Sequence, residues 1–211
     1  MPIYAIKALN ESALAKYQQA QLGNNCAYHA VSAAINVLAG TNIDGLIYAD
    51  QINAMPFPTS LKYRLYDNGP TLPVQQVNLA KLIATDHGIS INAQKANPQN
   101  EDLLLYLMEG NVAVLVTIGW YAHHPPEITY GLSSLNMNAS KEWAGFHTML
   151  LARYDPTHVS QDGLLRPWGL INSWTAGGDQ LFWMQDVEFK RSWNTYTPLS
   201  GSRASVLITL K

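Results

Sequence analysis

The pattern of apolar residues changes near residue 111, and this change strongly limits the folds that the chain can adopt. Before that point, apolar and small residues recur at three- and four-residue spacing, which is typical of helices that bury one face. After it, the apolar runs are short and separated by turn residues, which is typical of strands. Helices followed by strands predict an α+β fold with a mainly antiparallel sheet, not alternating β-α-β units.

The first half of the chain is predicted to hold four helices. The clearest one follows Gly23-Asn24-Asn25 and is stopped by Gly40. Between Pro56 and Pro73 four prolines predict a loop with one short helical piece. The predicted helices are Ser12–Leu22, Cys26–Leu38, Val74–Asp86 and Gln99–Glu109.

The second half is predicted to form a sheet and one short helix, Asp186–Trp193. The connection Tyr121–Glu142 is long and lacks periodicity, as lids and binding loops often do. The predicted strands are Val112–Ile118, Phe146–Tyr154, Pro167–Ile171, Gln180–Met184 and Ser205–Leu210.

Composition narrows the class of protein further. The chain has 211 residues, of which 47% are hydrophobic and only 13% are charged, so disorder is not expected. A net charge of −2 gives no reason to expect nucleic acid or an anionic membrane as a partner. No apolar stretch is long enough for a membrane span, and the N-terminus lacks the apolar region of a secretory signal. We therefore expect a cytoplasmic protein, or one exported without a cleaved signal.

Cys26 is the single cysteine of the chain, so it forms no internal disulfide and no cysteine zinc site. It opens a well-patterned helix, where the helix dipole and unpaired backbone N–H groups favour the thiolate. Small residues follow it, so a substrate could approach. Three interpretations remain: a buried side chain, a surface thiol or a nucleophile.

His147 and Asn172 are the candidate partners of this thiol. His147 stands at the head of an apolar strand, where an imidazole needs a hydrogen-bond partner. Asn172 ends another predicted strand, and if the two strands are neighbours it can hold the His147 ring in one tautomer. Trp174 would then shield the pair from water.

Three segments resemble papain-like cysteine peptidases, and most of all the bacterial C39-like branch. Gln21-Leu22-Gly23-Asn24-Asn25-Cys26 is similar to the segment that opens the family's central helix. Gly145-Phe146-His147-Thr148-Met149 is similar to its His strand, and Asn172-Ser173-Trp174 to its Asn-Ser-Trp segment. The resemblance spans residues 18–184 as an order of elements.

The resemblance implies one papain-like catalytic domain over residues 1–211. A helical lobe of about residues 1–110 would pack on a sheet lobe of about residues 111–211, with the active site in the groove between them. The implied activity is peptide-bond hydrolysis through a thioester, with a peptide or protein as substrate and no cofactor or metal. Cys26 would be the nucleophile, His147 the base and then the acid, and Asn172 the residue that orients His147.

The same resemblance implies a glutamine side chain in an oxyanion hole, completed by the backbone N–H of Cys26. Gln21 is the candidate, with Gln18 and Gln19 as rivals, because Gln21 lies one position nearer to the cysteine than in papain. Aromatic residues around the His strand are either sheet packing or the lining of a substrate cleft. The cleft candidates are Trp120, Trp143 and Trp174.

Several alternatives remain open from the sequence. His29 lies on the same helix face as Cys26 and is read as a structural residue, and Asp155 or Asp162 could replace Asn172. His123-His124 invites a metal site, but no acidic partner stands at ligand spacing. The Cys-His pair could also serve an acyltransferase, transglutaminase or deamidase, or stay silent in a binding module. The oligomeric state and the substrate are not indicated.

Overall fold

The computed structural model describes residues 2–21, 23–66, 69–121, 126–130, 133–136, 145–173, 180–195 and 201–211. It confirms the predicted α+β fold, because helices from the N-terminal half pack on one antiparallel sheet. None of the helices in the described ranges combines the length and apolar character that crossing a bilayer requires.

The described residues form six α-helices and two short 3-10 turns. Three of the four predicted N-terminal helices are confirmed within a residue or so, but Ser12–Leu22 is wrong beyond Ala15. The helices are α1 Glu11–Ala15, α2 Cys26–Ala39, α3 Gly45–Asn53, α4 Pro73–Asp86, α5 Asn100–Glu109 and α6 Asp186–Trp193. The short helical piece predicted between the prolines is the 3-10 turn Thr59–Lys62.

Nine strands make up the sheet within the described ranges. Their order is β2-β9-β3-β6-β7-β8-β4-β5, and β1 pairs with the end of β6. They are β1 Tyr4–Ala5, β2 Ile91–Ala96, β3 Val112–Trp120, β4 Glu127–Tyr130, β5 Ser133–Asn136, β6 Gly145–Tyr154, β7 Trp168–Ile171, β8 Phe182–Met184 and β9 Ser205–Leu210. The five predicted strands are therefore found.

The structure also adds strands that the sequence patterns did not reveal. β1 and β2 come from the first 110 residues, and β2 pairs along its whole length with the last strand, β9. The connection that was predicted to be a loop contains the hairpin β4–β5, which extends the sheet beyond β8.

Helix α2 is the centre of the core. It lies against β3, β6 and β9 and is covered on its other side by α3 and α4. All residues from Ala27 to Leu38 are buried, and five of the twelve are Ala or Ser, which let neighbouring backbones come close. α3 begins at Gly45, where a Cβ atom would lie 2.8 Å from the backbone of His29, so a side chain there would push α3 away. α2 is thereby held in place, with its first residue, Cys26, beside the start of strand β6.

Candidate active site

Cys26 is partly exposed at the first turn of α2. Backbone N–H groups of Cys26, Ala27 and Thr148 favour the thiolate and so lower the pKa of its thiol. Two of these groups belong to the helix N-terminus and one belongs to strand β6. The third group belongs to Thr148, the strand residue that directly follows His147.

His147 lies near the start of β6, opposite Ile118 on β3, and is 2% exposed. Asn172 follows the last residue of β7, which pairs antiparallel with β6. The strand pairing that the sequence only postulated therefore exists, and it brings two residues 25 positions apart into contact. His147 Nε2 lies 2.7 Å from Asn172 Oδ1.

This contact defines which ring nitrogen of His147 can act as a base. An amide oxygen only accepts hydrogen bonds, so Nε2 of His147 carries the hydrogen and donates it to Asn172. In a neutral imidazole with a hydrogen on Nε2, the lone pair lies on Nδ1. The Asn172 contact therefore selects the tautomer in which Nδ1 can take up a proton.

A cleft of about 380 Å³ contains both reactive candidates. Cys26 and His147 line it together with residues from several other parts of the chain. These residues are Gln21, Asn24, Ala27, Tyr66, Pro70, Thr71, Thr117, Trp120, Gly145, Phe146 and Thr148. No Asp, Glu, Lys or Arg is among its described lining residues. The cleft therefore presents a thiol and an imidazole in mainly apolar and uncharged polar surroundings.

Burial dominates the electrostatics of the pair. It raises the pKa of the Cys26 thiol, although the three backbone N–H groups partly offset this effect. It lowers the pKa of His147 to about 4, and the bond to Asn172 opposes this shift. Burial therefore favours the neutral form of each group in the resting protein. The sequence-based expectation of an acidic thiol is wrong for this state, because desolvation outweighs the helix N-terminus.

The three candidate glutamines have different surroundings. Gln21 lines the cleft beside Cys26, donates through Nε2 to Gly23 O at 2.8 Å, and accepts from Ser173 Oγ at 2.6 Å. Gln18 donates to Gln180 O at 2.8 Å, and Gln19 donates to Ile43 O at 2.7 Å. Among these three described residues, Gln21 alone reaches the cleft.

Further hydrogen bonds of Gln18 and Gln19 explain why the first predicted helix ends early. The side-chain oxygen of Gln18 accepts from the backbone N–H of Asn172 at 3.4 Å, and that of Gln19 accepts from Gly45 at 2.9 Å. Both contacts are long-range in sequence. They hold the chain before Cys26 in a non-helical path across the core.

The alternative partners for the Cys-His pair are occupied elsewhere. His29 is buried, with Nδ1 3.2 Å from Gln19 Oε1, and burial lowers its pKa. Asp155 accepts hydrogen bonds from Thr157 in its own turn, and Asp162 is paired with Arg166 at 2.6 Å. Asn172, in contrast, contacts the His147 ring directly.

The aromatic candidates divide into one that the structure describes and two that it does not. Trp120 lines the cleft at 5% exposure, with its ring directly over Gly145, where a Cβ atom would lie 2.0 Å from Trp120 Cζ2. Trp143 and Trp174 lie outside the described residues, as do His123-His124. Within the described ranges, no group of three or more His, Cys, Asp or Glu side chains could hold a metal ion.

Sequence reasoning missed the polar residues beneath the cleft. Thr148 and Thr117 pair across β6 and β3, with their hydroxyl oxygens 3.1 Å apart. Gln76, on α4, donates to the same Thr148 hydroxyl at 3.1 Å. Isolated threonines and a glutamine in a helix carry no recognisable motif, so only the tertiary structure reveals this cluster.

Comparison with known proteins agrees with the fold. No family model matches the chain, and no curated protein sequence matches it. Among solved structures, one described as a "putative C39-like peptidase" from Bacillus anthracis has a TM-score of 0.57 and 12% identity. The match covers 100% of this chain and 99% of that one. At this identity the likeness establishes an α+β fold shared with a C39-like peptidase structure.

Proposed function

We propose that this protein is a papain-like cysteine peptidase of the C39-like type, built as one catalytic domain over residues 1–211. The observation that carries the proposal is the bond from His147 Nε2 to Asn172 Oδ1, because it leaves Nδ1 as the basic nitrogen. Cys26 lines the same cleft. The full-length likeness to a C39-like peptidase structure supports the same class of activity.

The chemistry begins from a neutral pair. As the sulfur of Cys26 attacks the carbonyl carbon of a peptide bond, the thiol proton moves to Nδ1 of His147. The imidazolium is stabilised by its bond to Asn172, and it then donates the proton to the departing amine. A thioester on Cys26 remains, and water that is deprotonated by His147 hydrolyses it. No metal or organic cofactor takes part in these steps.

Gln21 is the proposed side-chain donor to the oxyanion. Its Oε1 is held by the Ser173 hydroxyl, so its Nε2 end faces away from Ser173. An amide nitrogen carries two hydrogens, and the bond to Gly23 O uses one of them. The second hydrogen, with the backbone N–H of Cys26, would stabilise the charge that develops on the substrate oxygen.

Hydrolysis of fluorescein-labelled casein tests the proposal. We expect cleavage by the wild type, and none by Cys26→Ala or His147→Ala, because one variant lacks the nucleophile and the other the base. His87→Ala is the matched control, since His87 is an exposed histidine at the end of α4. Wild-type cleavage that survives in Cys26→Ala would overturn the proposal.

The same assay separates peptidase from transferase and from a silent module. With a fluorescent primary amine added, a peptidase passes the acyl group to water and leaves the amine free. Incorporation of the amine into casein would identify an acyltransferase instead. Release of ammonia from casein without cleavage or incorporation would identify a deamidase. Absence of all three, in a folded protein, would indicate a binding module.

A further inference from the structure

Thr148 lines the cleft together with its two reactive groups, Cys26 and His147. It directly follows His147 on β6, lines the same cleft as Cys26, and carries a backbone N–H that favours the thiolate of Cys26. It is 3% exposed, so its own polar groups must find partners inside the protein. Any shift of this residue would move both its N–H in the cleft and the backbone that carries the imidazole.

The side chain of Thr148 is held from two directions. Across the sheet, its hydroxyl lies 3.1 Å from the hydroxyl of Thr117 on β3. From the helical layer, Gln76 Nε2 donates to it at 3.1 Å. Gln76 is completely buried on α4 and also approaches Thr71, which lines the cleft. Gln76 thereby links the helical layer to the strand that carries the imidazole.

A buried contact of this kind restricts geometry. An amide removed from water is costly to leave unpaired, so Gln76 keeps its hold on Thr148. A β-branched side chain has few rotamers, so holding the hydroxyl of Thr148 also restrains its backbone. The position of the N–H relative to Cys26 then depends on a residue that touches neither the thiol nor the substrate cleft directly.

We propose that Gln76 is a positioning residue, which holds Thr148 so that its backbone N–H reaches the sulfur of Cys26. The inference rests on the proposed function, because the position of this N–H affects catalysis only if Cys26 is the nucleophile. Loss of the Gln76 contact should weaken the N–H bond to the sulfur, and this bond favours the thiolate. The measurable effect is a shift in the pH at which Cys26 becomes reactive.

The test is the rate of iodoacetamide alkylation as a function of pH. Cys26 is the only cysteine in the chain, so every adduct reports this thiol. For Gln76→Leu we expect the alkylation midpoint to move to higher pH. Weakening of the bond from the Thr148 N–H to the Cys26 thiolate should make alkylation of Gln76→Leu roughly tenfold slower than that of the wild type at pH values below the midpoint.

Gln75→Leu is the matched control. Gln75 neighbours Gln76 on α4, is also buried, and makes two bonds of 2.8 Å, to Leu61 O and from Leu72 N. Its loss should lower the melting temperature without moving the alkylation profile. Equal profiles for Gln76→Leu and the wild type, or equal shifts for both glutamine variants, would overturn the inference.

Thr148→Val gives a second route if Gln76→Leu does not fold. It keeps the shape of the side chain but removes the oxygen that Gln76 holds, so the midpoint should again rise. Thr148→Ser restores the hydroxyl and should return the profile towards the wild type; a midpoint as high as in Thr148→Val would contradict the inference. Alkylation does not require turnover. A protein that fails to cleave casein but shows the Gln76 shift would sink only the proposed function.

Discussion

Replacement of Asn172 by alanine tests the geometry that supports the proposed mechanism. Asn172 is 1% exposed, and its Oδ1 accepts from His147 Nε2 at 2.7 Å. The substitution removes the acceptor and leaves the ring nitrogen buried without it. Two consequences follow: the ring loses its preferred tautomer, and the imidazolium formed during attack loses a stabilising contact.

The size of the effect follows from the charge on the ring. A hydrogen bond to a charged group contributes about 1.5–3 kcal/mol. Since about 1.36 kcal/mol corresponds to a factor of ten in rate, kcat/KM should fall roughly 10- to 150-fold. The bond also raises the pKa of His147 against the effect of burial. Its loss should therefore move the acidic limb of the pH–rate profile below the wild-type position at about pH 4.

The assay is the initial rate of labelled-casein cleavage over a pH series. Asn36→Ala is the control: Asn36 is also buried, and it bonds Ile43 through both side-chain atoms, at 2.7 and 2.9 Å. It lies ten residues beyond Cys26 on α2, or roughly 15 Å along the helix. It should lose stability and keep its kcat/KM. Equal losses of activity in the two variants would refute the orienting role of Asn172.

Three further predictions concern other parts of the cleft. In Gly145→Ala the new Cβ would lie 2.0 Å from Trp120 Cζ2, so the indole must move. Both the melting temperature and the rate of casein cleavage should therefore fall, and unchanged values would contradict this contact. Since the folded-state pKa of His147 is about 4, below its ordinary 6.5, the unfolded chain binds this proton first as pH falls. Urea titrations should therefore show that the free energy of unfolding falls by up to about 3 kcal/mol as the pH is lowered from about 6.5 to about 4. The decrease should be smaller in His147→Gln. Identical pH dependence would contradict the burial of the ring. Gln21→Leu should lower kcat roughly 100- to 1000-fold, whereas Gln19→Leu should mainly lower the melting temperature; equal kcat values in the two variants would exclude Gln21 from the oxyanion hole.

Much of the fold follows from local patterns in the sequence. The helices α2, α4 and α5 match their predictions because small and apolar residues recur at helical spacing. The stretch after Ala15 did not behave as its pattern suggested, because Gln18 and Gln19 form hydrogen bonds to residues distant in sequence. Strand β2 was missed because its alternation of buried and exposed residues is stabilised by pairing with β9, more than 100 residues away.

The identity of the candidate site residues could be predicted from the sequence, but the pKa values of the thiol and the imidazole could not. His147 and Asn172 were paired by assuming that their strands are neighbours, and the 2.7 Å contact agrees with that assumption. The pKa of Cys26 was misjudged because a helix N-terminus is visible in a sequence whereas the degree of desolvation is not. The contact between Gln76 and Thr148 joins residues 72 positions apart and has no sequence signature.

Acid-quench mass spectrometry provides the most direct test of whether Cys26 is the nucleophile. The protein is mixed with an N-acetyl-phenylalanine p-nitrophenyl ester, quenched with acid and digested, and the Cys26 peptide is weighed. We expect an acyl group on this peptide that hydroxylamine removes, and a much slower acylation in His147→Ala. Turnover of the ester without any adduct on Cys26, at the same rate in Cys26→Ala, would contradict the assignment of Cys26 as the nucleophile.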